Sequence, residues 1–199
     1  MNMTRVFGLI GAALILASTL GAAPAVDQGR PMTAPAQDAS WEARFRELLP
    51  ALGHRNWIVV TDAAFPLQIS PGMEVIASGE NLLPVLDKAL AALDRSRHVR
   101  PRVYLDKELA YVNEQLSPGA DNFRAELDRR LKGRAPEPVL HEELIKRLDE
   151  VARTFKVLMI KTNLTVPYTS VFLELDCGYW PAANEAKMRE KMKADKRRP

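Results

Sequence analysis

The chain has 199 residues, of which 47% are apolar, and carries a formal net charge of +3 at pH 7. This length and composition suit one folded domain of ordinary size. The chain has one cysteine, Cys177, which excludes an intrachain disulfide and therefore a disulfide-stapled scaffold. Stability must come from a hydrophobic core, from burial between subunits, or from both.

The first 25 residues have the features of a secretory signal peptide. Arg5 supplies a positive charge, residues 6–20 form an apolar run, and Ala23-Pro24-Ala25 offers small residues at a cleavage site. The apolar run is shorter than the roughly 20 residues that a membrane span needs. We therefore predict cleavage after Ala25 and a periplasmic or secreted protein. An uncleaved membrane anchor is the alternative.

Positive charge is concentrated at the C-terminal end. Residues 181–199 hold seven Lys/Arg and three Asp/Glu, a net charge of +4 (7 − 3). Without Arg5 the chain carries +2 (3 − 1), so the part before residue 181 carries about −2 (2 − 4). The high pI thus describes a tail and predicts no nucleic-acid surface. We expect a disordered or frayed helical tail, with contact to an anionic surface as the alternative.

The predicted elements begin after a linker. Residues 26–40 are small and polar and contain proline, which is typical of a flexible segment. Ser40 has a suitable side chain to cap a helix that begins at Trp41. Pro50 predicts an early end or a kink of this helix. The helix has one apolar face, formed by Phe45, Leu48, Leu49 and Leu52.

A buried strand over residues 57–61 is the centre of the predicted fold. Its sequence, WIVVT, is β-branched and aromatic. His54 precedes this strand and Asp62 follows it, and α/β proteins commonly hold reactive groups at such loop positions. A turn over residues 71–72, a short strand over 73–77 and a Leu-rich helix over 81–93 are predicted next.

The second half of the chain repeats the alternation of strands and helices. Asp106 is expected to cap a helix, and His98 to lie in solvent. The alternation favours an α/β fold with a mostly parallel sheet flanked by helices, in a single domain over residues 41–180. Strands are predicted over 103–105, 156–161 and 168–175, and helices over 106–116, 123–131 and 141–155.

Residues 52–66 resemble the N-terminal signature of the D-ribose pyranase / L-fucose mutarotase family of sugar-anomer isomerases. That signature is L-G-H, a few polar residues, a buried strand and D-A-x-x-P. Residues 168–173 resemble the family's closing strand, which begins Y-x-N. The resemblance covers residues 41–180. Its matching residues are Leu52-Gly53-His54, Asp62-Ala63, Pro66, Pro71-Gly72, Gly79 and Tyr168.

The resemblance implies a ribose pyranase/fucose mutarotase-like domain that acts on a monosaccharide without metal, nucleotide or covalent intermediate. It places the catalytic acid/base at His54, a sugar-binding carboxylate at Asp62 and a site tyrosine at Tyr168. Ser170 stands where the family has asparagine and reaches less far. His141 is the candidate for a second, substrate-binding histidine. Members of the family form rings, often decamers, with pockets between subunits, so a homo-oligomer is expected.

The implied chemistry requires two proton transfers. Opening a sugar hemiacetal removes a proton from the anomeric hydroxyl and delivers one to the ring oxygen, and reclosure reverses both. Groups whose pKa lies near the working pH serve best, and histidine is the side chain whose ordinary pKa lies there. A carboxylate orients such a histidine or binds sugar hydroxyls.

Each candidate residue also has a structural interpretation. His54 would be a cation at a helix C-terminus, Asp62 a turn residue, Tyr168 a packed aromatic and His141 a surface residue that begins a helix. Five strand residues span roughly 16 Å, so one sugar cannot reach both His54 and Asp62 along a straight strand. Either the loop folds His54 back, or another subunit completes the pocket. A non-catalytic sugar-binding or interaction module of the same fold is the alternative function.

Overall fold

The structure, a computed structural model, describes residues 40–195. Within them the chain forms the strands β1 (Trp57–Thr61), β2 (Met73–Ala77), β3 (Val99–Asp106), β4 (Glu137–Val139), β5 (Val157–Lys161) and β6 (Val171–Cys177). The helices are α1 (Trp41–Leu48), α2 (Leu82–Arg95), α3 (Ala120–Arg130), α4 (His141–Val151) and α5 (Ala182–Asp195). Two 3₁₀ turns span Leu49–Ala51 and Lys107–Tyr111.

These strands form one sheet in the order β2-β5-β1-β6-β3-β4. β1 and β2 each pair with β5 in parallel, and β4 pairs with β3 in parallel. β6 is antiparallel to both of its neighbours, β1 and β3. Five strands therefore run in one direction and one runs in the other. This confirms the predicted α/β fold with a mostly parallel sheet.

Each face of the sheet has its own apolar core, because successive side chains of a strand point to opposite faces. Ile58 and Val60 of β1 belong to the core under α1, α2 and α3. Trp57 and Val59 belong to the core under α4. Since both faces are covered, every residue of β1 is buried, which explains its continuous apolar sequence.

Two side chains determine the bounds of α1. The Oγ of Ser40 accepts a hydrogen bond from the backbone N–H of Ala43 at 3.3 Å, which is an N-cap. After Leu48 the chain passes into a 3₁₀ turn that contains Pro50, which has no N–H to continue the helix. The predicted cap and the predicted early end are both confirmed.

The predictions for Asp106 and Tyr168 differ from the structure, and one strand was not predicted. Asp106 does not cap a helix to residue 116, because only a 3₁₀ turn follows and its side chain bonds to His141 instead. β6 begins at Val171 and not at Tyr168, whose φ of 58° is incompatible with a strand. β4 was not predicted, since it has three residues, includes Pro138 and exists through its pairing with β3.

His98 is partly buried, which corrects its predicted place in solvent. Its Nδ1 lies 2.9 Å from the Oγ of Ser96. Its Nε2 lies 3.0 Å and 3.2 Å from the carbonyl oxygens of Leu52 and Leu49. The last carbonyls of a helix lack partners within the helix. His98 therefore supplies a donor for the end of the first helical segment.

The ends of the chain are described unequally. The predicted signal peptide, residues 1–25, and residues 26–39 of the predicted linker lie outside the described part. Residues Ala182–Asp195 of the basic tail form α5, which has no buried residue. None of the helices between residues 40 and 195 has the length and apolar content of a membrane span.

Candidate active site

Four polar side chains meet at one edge of the sheet, where its parallel strands end. Asp62 follows β1, Asp106 ends β3, and His141 comes two residues after β4. Ser170 precedes β6, and because β6 is antiparallel, its start lies at this same edge. We call these four residues the edge cluster. Open α/β sheets commonly bind ligands in the crevice outside this edge.

Asp62 and Ser170 form a buried pair. The Oγ of Ser170 donates to the Oδ2 of Asp62 at 3.0 Å, and the Asp62 backbone N–H lies 3.4 Å from that Oγ. The N–H of Ala64 donates to the Oδ1 of Asp62 at 2.9 Å. The carboxylate is thus held in one orientation. A carboxylate has about four acceptor positions, so further ones remain for ligand hydroxyls.

Asp106 and His141 form a second pair. The Nδ1 of His141 lies 3.0 Å from the Oδ1 of Asp106, with side-chain exposures of 20% and 0%. The Oδ2 of Asp106 is buried and has no hydrogen-bond partner among the described residues. Burial raises the pKa of the Asp106 carboxyl to about 6, although the hydrogen bond from His141 acts in the opposite direction.

The imidazole of His141 is held from several sides. The ring of Phe65 meets it nearly edge-on, with centroids 5.8 Å apart, and the ring of Tyr168 does so at 5.3 Å. The carboxylate of Glu108 accepts the backbone N–H of His141 at 3.1 Å, at the start of α4. His141 is therefore ordered by aromatic packing as well as by Asp106. A histidine that is free on the surface would lack these contacts.

Tyr168 has an uncommon backbone conformation. Its φ of 58° lies in the left-handed region, which favours glycine. Such strained residues cost on the order of 1–3 kcal/mol and concentrate at functional sites. The neighbouring Thr169 is buried and donates from its Oγ1 to the Val166 carbonyl at 2.7 Å, which fixes the segment. In this backbone conformation the Tyr168 ring lies against His141, and the residue is 38% exposed.

One cation fixes the loop that follows Asp62. The Nζ of Lys161, the last residue of β5, donates to the carbonyl of Phe65 at 2.6 Å. Lys161 thus ties the loop with Asp62 and Phe65 to the neighbouring strand. This loop holds the Asp62 carboxylate, which belongs to the edge cluster, and the Phe65 ring, which contacts His141.

His54 lies at the opposite end of β1 from the edge cluster. It precedes the strand by three positions, and its side chain is exposed. Five strand residues at about 3.3 Å each separate the two ends by roughly 16 Å. Within one chain, the structure therefore brings together Asp62, His141, Tyr168 and Ser170, and leaves His54 apart.

Sequence reasoning missed the roles of Asp106 and Phe65. The sequence does carry a signal for Asp106, because it follows the predicted buried strand over residues 103–105 just as Asp62 follows the strand over 57–61. The helix-forming residues after Asp106 favour a helix cap instead, and this local pattern hides its contact with His141. Phe65 gave no separate signal, because a loop aromatic is not distinguished by its spacing.

The edge cluster has the parts that proton transfer on a hydroxylated ligand requires. An imidazole backed by a carboxylate can accept and return a proton. A second carboxylate can accept hydrogen bonds from hydroxyl groups. Aromatic rings beside them offer apolar faces to C–H surfaces.

Neither a known protein family nor a curated protein matches this chain in sequence searches. Several solved structures, however, are similar to this chain. RbsD of Bacillus subtilis, complexed with D-ribose, is 23% identical, with a TM-score of 0.47, over 66% of this chain and 90% of that chain. The fucose mutarotase of Streptococcus pneumoniae, in complex with L-fucose, is 16% identical, with a TM-score of 0.48, over 66% and 89%.

FucU of Bifidobacterium longum is also similar, at 16% identity and a TM-score of 0.46, over 66% of this chain and 91% of that chain.

Proposed function

We propose that this protein is a monosaccharide isomerase that interconverts anomers, or pyranose and furanose forms, by general acid–base catalysis. The observation that carries the proposal is the edge cluster. In it a carboxylate-bound imidazole, Asp106–His141, lies beside a second buried carboxylate, Asp62, at the carboxyl edge of the sheet. No residue is required to bond covalently to the sugar.

In the proposed reaction, His141 accepts the proton of the anomeric hydroxyl through Nε2. The bond between the anomeric carbon and the ring oxygen breaks, the carbonyl forms, and the ring oxygen takes a proton from a second acid. Rotation about the next carbon–carbon bond and reclosure return both protons. The reaction is neutral in protons and electrons, so it needs no redox partner. Each positioned acid or base contributes typically about 10²–10⁴-fold.

The other members of the site position the sugar. Asp62 accepts hydrogen bonds from sugar hydroxyls, and Ser170 keeps its carboxylate oriented. The Tyr168 hydroxyl exchanges hydrogen bonds with ring substituents, while the Phe65 ring packs beside His141. Ser170 is engaged with Asp62, so it acts on the sugar through that carboxylate more than by direct contact.

The direct test is NMR exchange between anomer signals of D-ribose, L-fucose, galactose and glucose. We expect acceleration by the wild type, and a loss of roughly 10²–10⁴-fold with His141→Ala. Glu142→Gln is the matched control, because this exposed residue is next to His141 on the same helix. A wild type that accelerates exchange of no sugar rejects the catalytic proposal.

A second candidate is a sugar-binding module without catalysis. The observation in its favour is that His54 stands apart from the edge cluster in a single chain. Calorimetric binding of a monosaccharide without anomer exchange, and loss of that binding with Asp62→Ala, selects this function instead.

We further propose that the protein is a homo-oligomer whose sites are completed by a neighbouring subunit. Large apolar side chains are exposed in the connections that follow β1 and β3 and in those that precede α4 and β6, and Ile69 is 92% exposed. Exposed apolar groups of this kind commonly mark interfaces. His54, which is exposed, supplies the second acid from the neighbour. The exposed residues are Leu67, Ile69, Tyr111, Leu116, Leu140 and Tyr168.

Mixing two inactive variants tests this arrangement. His54→Ala and His141→Ala each remove one partner, and randomly mixed oligomers regain about a quarter of the wild-type sites if the two residues come from different chains. No recovery after unfolding and refolding together places both residues in one chain, and a His54→Ala protein that is active by itself shows that His54 is dispensable. Sedimentation analysis reports whether the wild type is oligomeric.

Export of this activity is a separate proposal, supported by the signal-peptide features of residues 1–25. Expression of the full chain followed by cell fractionation and N-terminal sequencing tests it. A first residue at Val26 in the exported fraction is expected. Full-length protein confined to the cytoplasm contradicts it.

A further inference from the structure

The contact between Asp106 and His141 restricts where the imidazole carries its proton. An ionised carboxylate accepts hydrogen bonds and cannot donate one. The Oδ1 of Asp106 lies 3.0 Å from Nδ1 of His141. Nδ1 must then carry the hydrogen, and in the neutral ring Nε2 is the free acceptor.

The surroundings of Asp106 make this restriction strong. Its side chain is completely buried, and Oδ2 has no hydrogen-bond partner among residues 40–195. A buried carboxylate that accepts few hydrogen bonds keeps its charge poorly solvated, so its contact with the remaining donor is strengthened. The donor is Nδ1 of His141. A buried acceptor without a partner is uncommon and calls for an explanation.

We propose that Asp106 is a positioning residue that holds neutral His141 as the Nδ1–H tautomer and presents Nε2 as the base. The structural part of this inference stands on the contact alone, and its catalytic part rests on the proposed isomerase function. Asp106 does not touch the sugar. It acts by fixing which ring nitrogen is available and how the ring is oriented.

The charged groups around the pair come from several elements. Glu108, in the turn after β3, accepts the backbone N–H of His141. Asp62, at the end of β1, is held by Ser170. Both carboxylates raise the pKa of Asp106 further, after burial. Tyr168 meets the ring of His141 by its edge and forms no ion pair with it.

A second histidine provides an internal reference with the opposite tautomer. The Nε2 of His98 faces the carbonyl oxygens of Leu49 and Leu52, which only accept, so Nε2 must donate. The Oγ of Ser96 then donates to Nδ1. His98 is therefore the Nε2–H tautomer when neutral, and its contacts do not include Asp106.

The test is long-range ¹H–¹⁵N correlation of the full chain labelled at histidine nitrogens, recorded above pH 8, where neutral imidazoles prevail. Signals of His141 are assigned by their loss in His141→Gln. We expect the Nδ1–H pattern for His141 and the Nε2–H pattern for His98 in the wild type. Asp106→Asn should shift His141 toward the Nε2–H tautomer, because an amide can donate to Nδ1. Asp106→Glu should restore the wild-type pattern in part.

Two spectra would overturn the inference. One is a wild-type His141 that carries its proton on Nε2. The other is an Asp106→Asn protein whose His141 keeps the wild-type pattern. If Asp106→Asn does not fold, the wild-type spectrum and Asp106→Glu still decide the question. If the tautomer pattern of His98 is the same in every variant, the effect of the substitution is confined to the Asp106–His141 pair.

The catalytic part is tested separately by anomer exchange. Asp106→Asn should reduce the exchange rate at saturating sugar by about 10- to 10⁴-fold, as expected when a catalytic imidazole has the wrong tautomer, with sugar affinity changed less than about threefold. Equal rates for Asp106→Asn and the wild type contradict it. If the wild type accelerates anomer exchange of no sugar, the proposed isomerase function is wrong. The tautomer measurement still tests whether Asp106 positions His141.

Discussion

The two ends of the central sheet use polar side chains in different ways. At the amino end of β1, polar side chains bond to the backbone, as when the Oδ1 of Asn56 accepts the N–H of Gly53 at 2.7 Å. At the carboxyl edge, side chains also bond to one another, as in Asp62–Ser170 and Asp106–His141. Hydrogen bonds between side chains and backbone groups stabilise the amino end. At the second end, the buried Oδ2 of Asp106 has no hydrogen-bond partner within residues 40–195, which costs stability and suits a reactive site.

The largest effect on stability is expected at the amino end, with Gly72→Ala. An added Cβ would lie closer than 3.0 Å to the backbone carbonyl oxygens of Ala152 and Phe155, and backbone moves less easily than a side chain. We expect a loss of about 3 kcal/mol in the free energy of unfolding, measured in urea. The remaining folded protein should keep its anomer exchange. Unchanged stability would show that the turn beside β2 is not tightly packed.

The carboxyl edge should show a pH dependence that Asp106 causes. Its folded-state pKa, raised to about 6 by burial, exceeds the ordinary value of 3.8 in the unfolded chain, so the folded state binds more protons between these values. Stability therefore falls as pH rises through this window, by an amount on the order of 3 kcal/mol.

Comparison with Asp106→Asn isolates this contribution. The stability of the wild type minus that of the variant should fall between pH 4 and pH 7, because only the wild type pays to ionise this buried group. Urea denaturation at both pH values measures the difference. A difference that grows with pH would mean that Asp106 is stabilised in its ionised form.

A smaller change is expected from the other carboxylate of the edge cluster. Asp62→Ala removes the acceptors for the N–H of Ala64 and the hydroxyl of Ser170, and we expect a loss of about 1–3 kcal/mol. Asp62→Asn keeps an oxygen and should cost less than Asp62→Ala. Both should weaken sugar binding, measured by calorimetry. Full sugar affinity in Asp62→Asn would remove this carboxylate from the site.

The smallest effects on stability are expected for two histidines near the amino end of the sheet, and the two effects should differ. His98→Ala should cost about 1 kcal/mol in thermal unfolding, because its ring contacts three oxygen atoms. His54→Ala should change stability by less than about 0.5 kcal/mol, since the side chain is exposed. Equal losses for the two variants would mean that His54 has a structural role.

Much of the fold was predictable because it depends on local patterns. β1 and β2 have the predicted bounds, since buried strands select short β-branched runs. Ser40 caps α1 as predicted, because capping involves residues within one turn. β4 was missed, because three residues with a proline carry no pattern of their own.

The candidate site was only partly predictable. Asp62, Tyr168, Ser170 and His141 were identified through the family resemblance, and within one chain they lie together. The resemblance gave His54 the catalytic role, which stays a prediction that depends on a neighbouring subunit. Asp106 was misassigned as a cap, because its partner His141 lies 35 residues away in sequence.

The sequence by itself determined the alternation of buried strands and amphipathic helices, because hydrophobic periodicity is a property of each segment. The tertiary structure decided which polar residues share an environment. β6 enters between β1 and β3 in the antiparallel direction, so its first residues join the ends of strands distant in sequence. That arrangement buries Asp106 beside His141, and burial is what changes the chemistry of the pair.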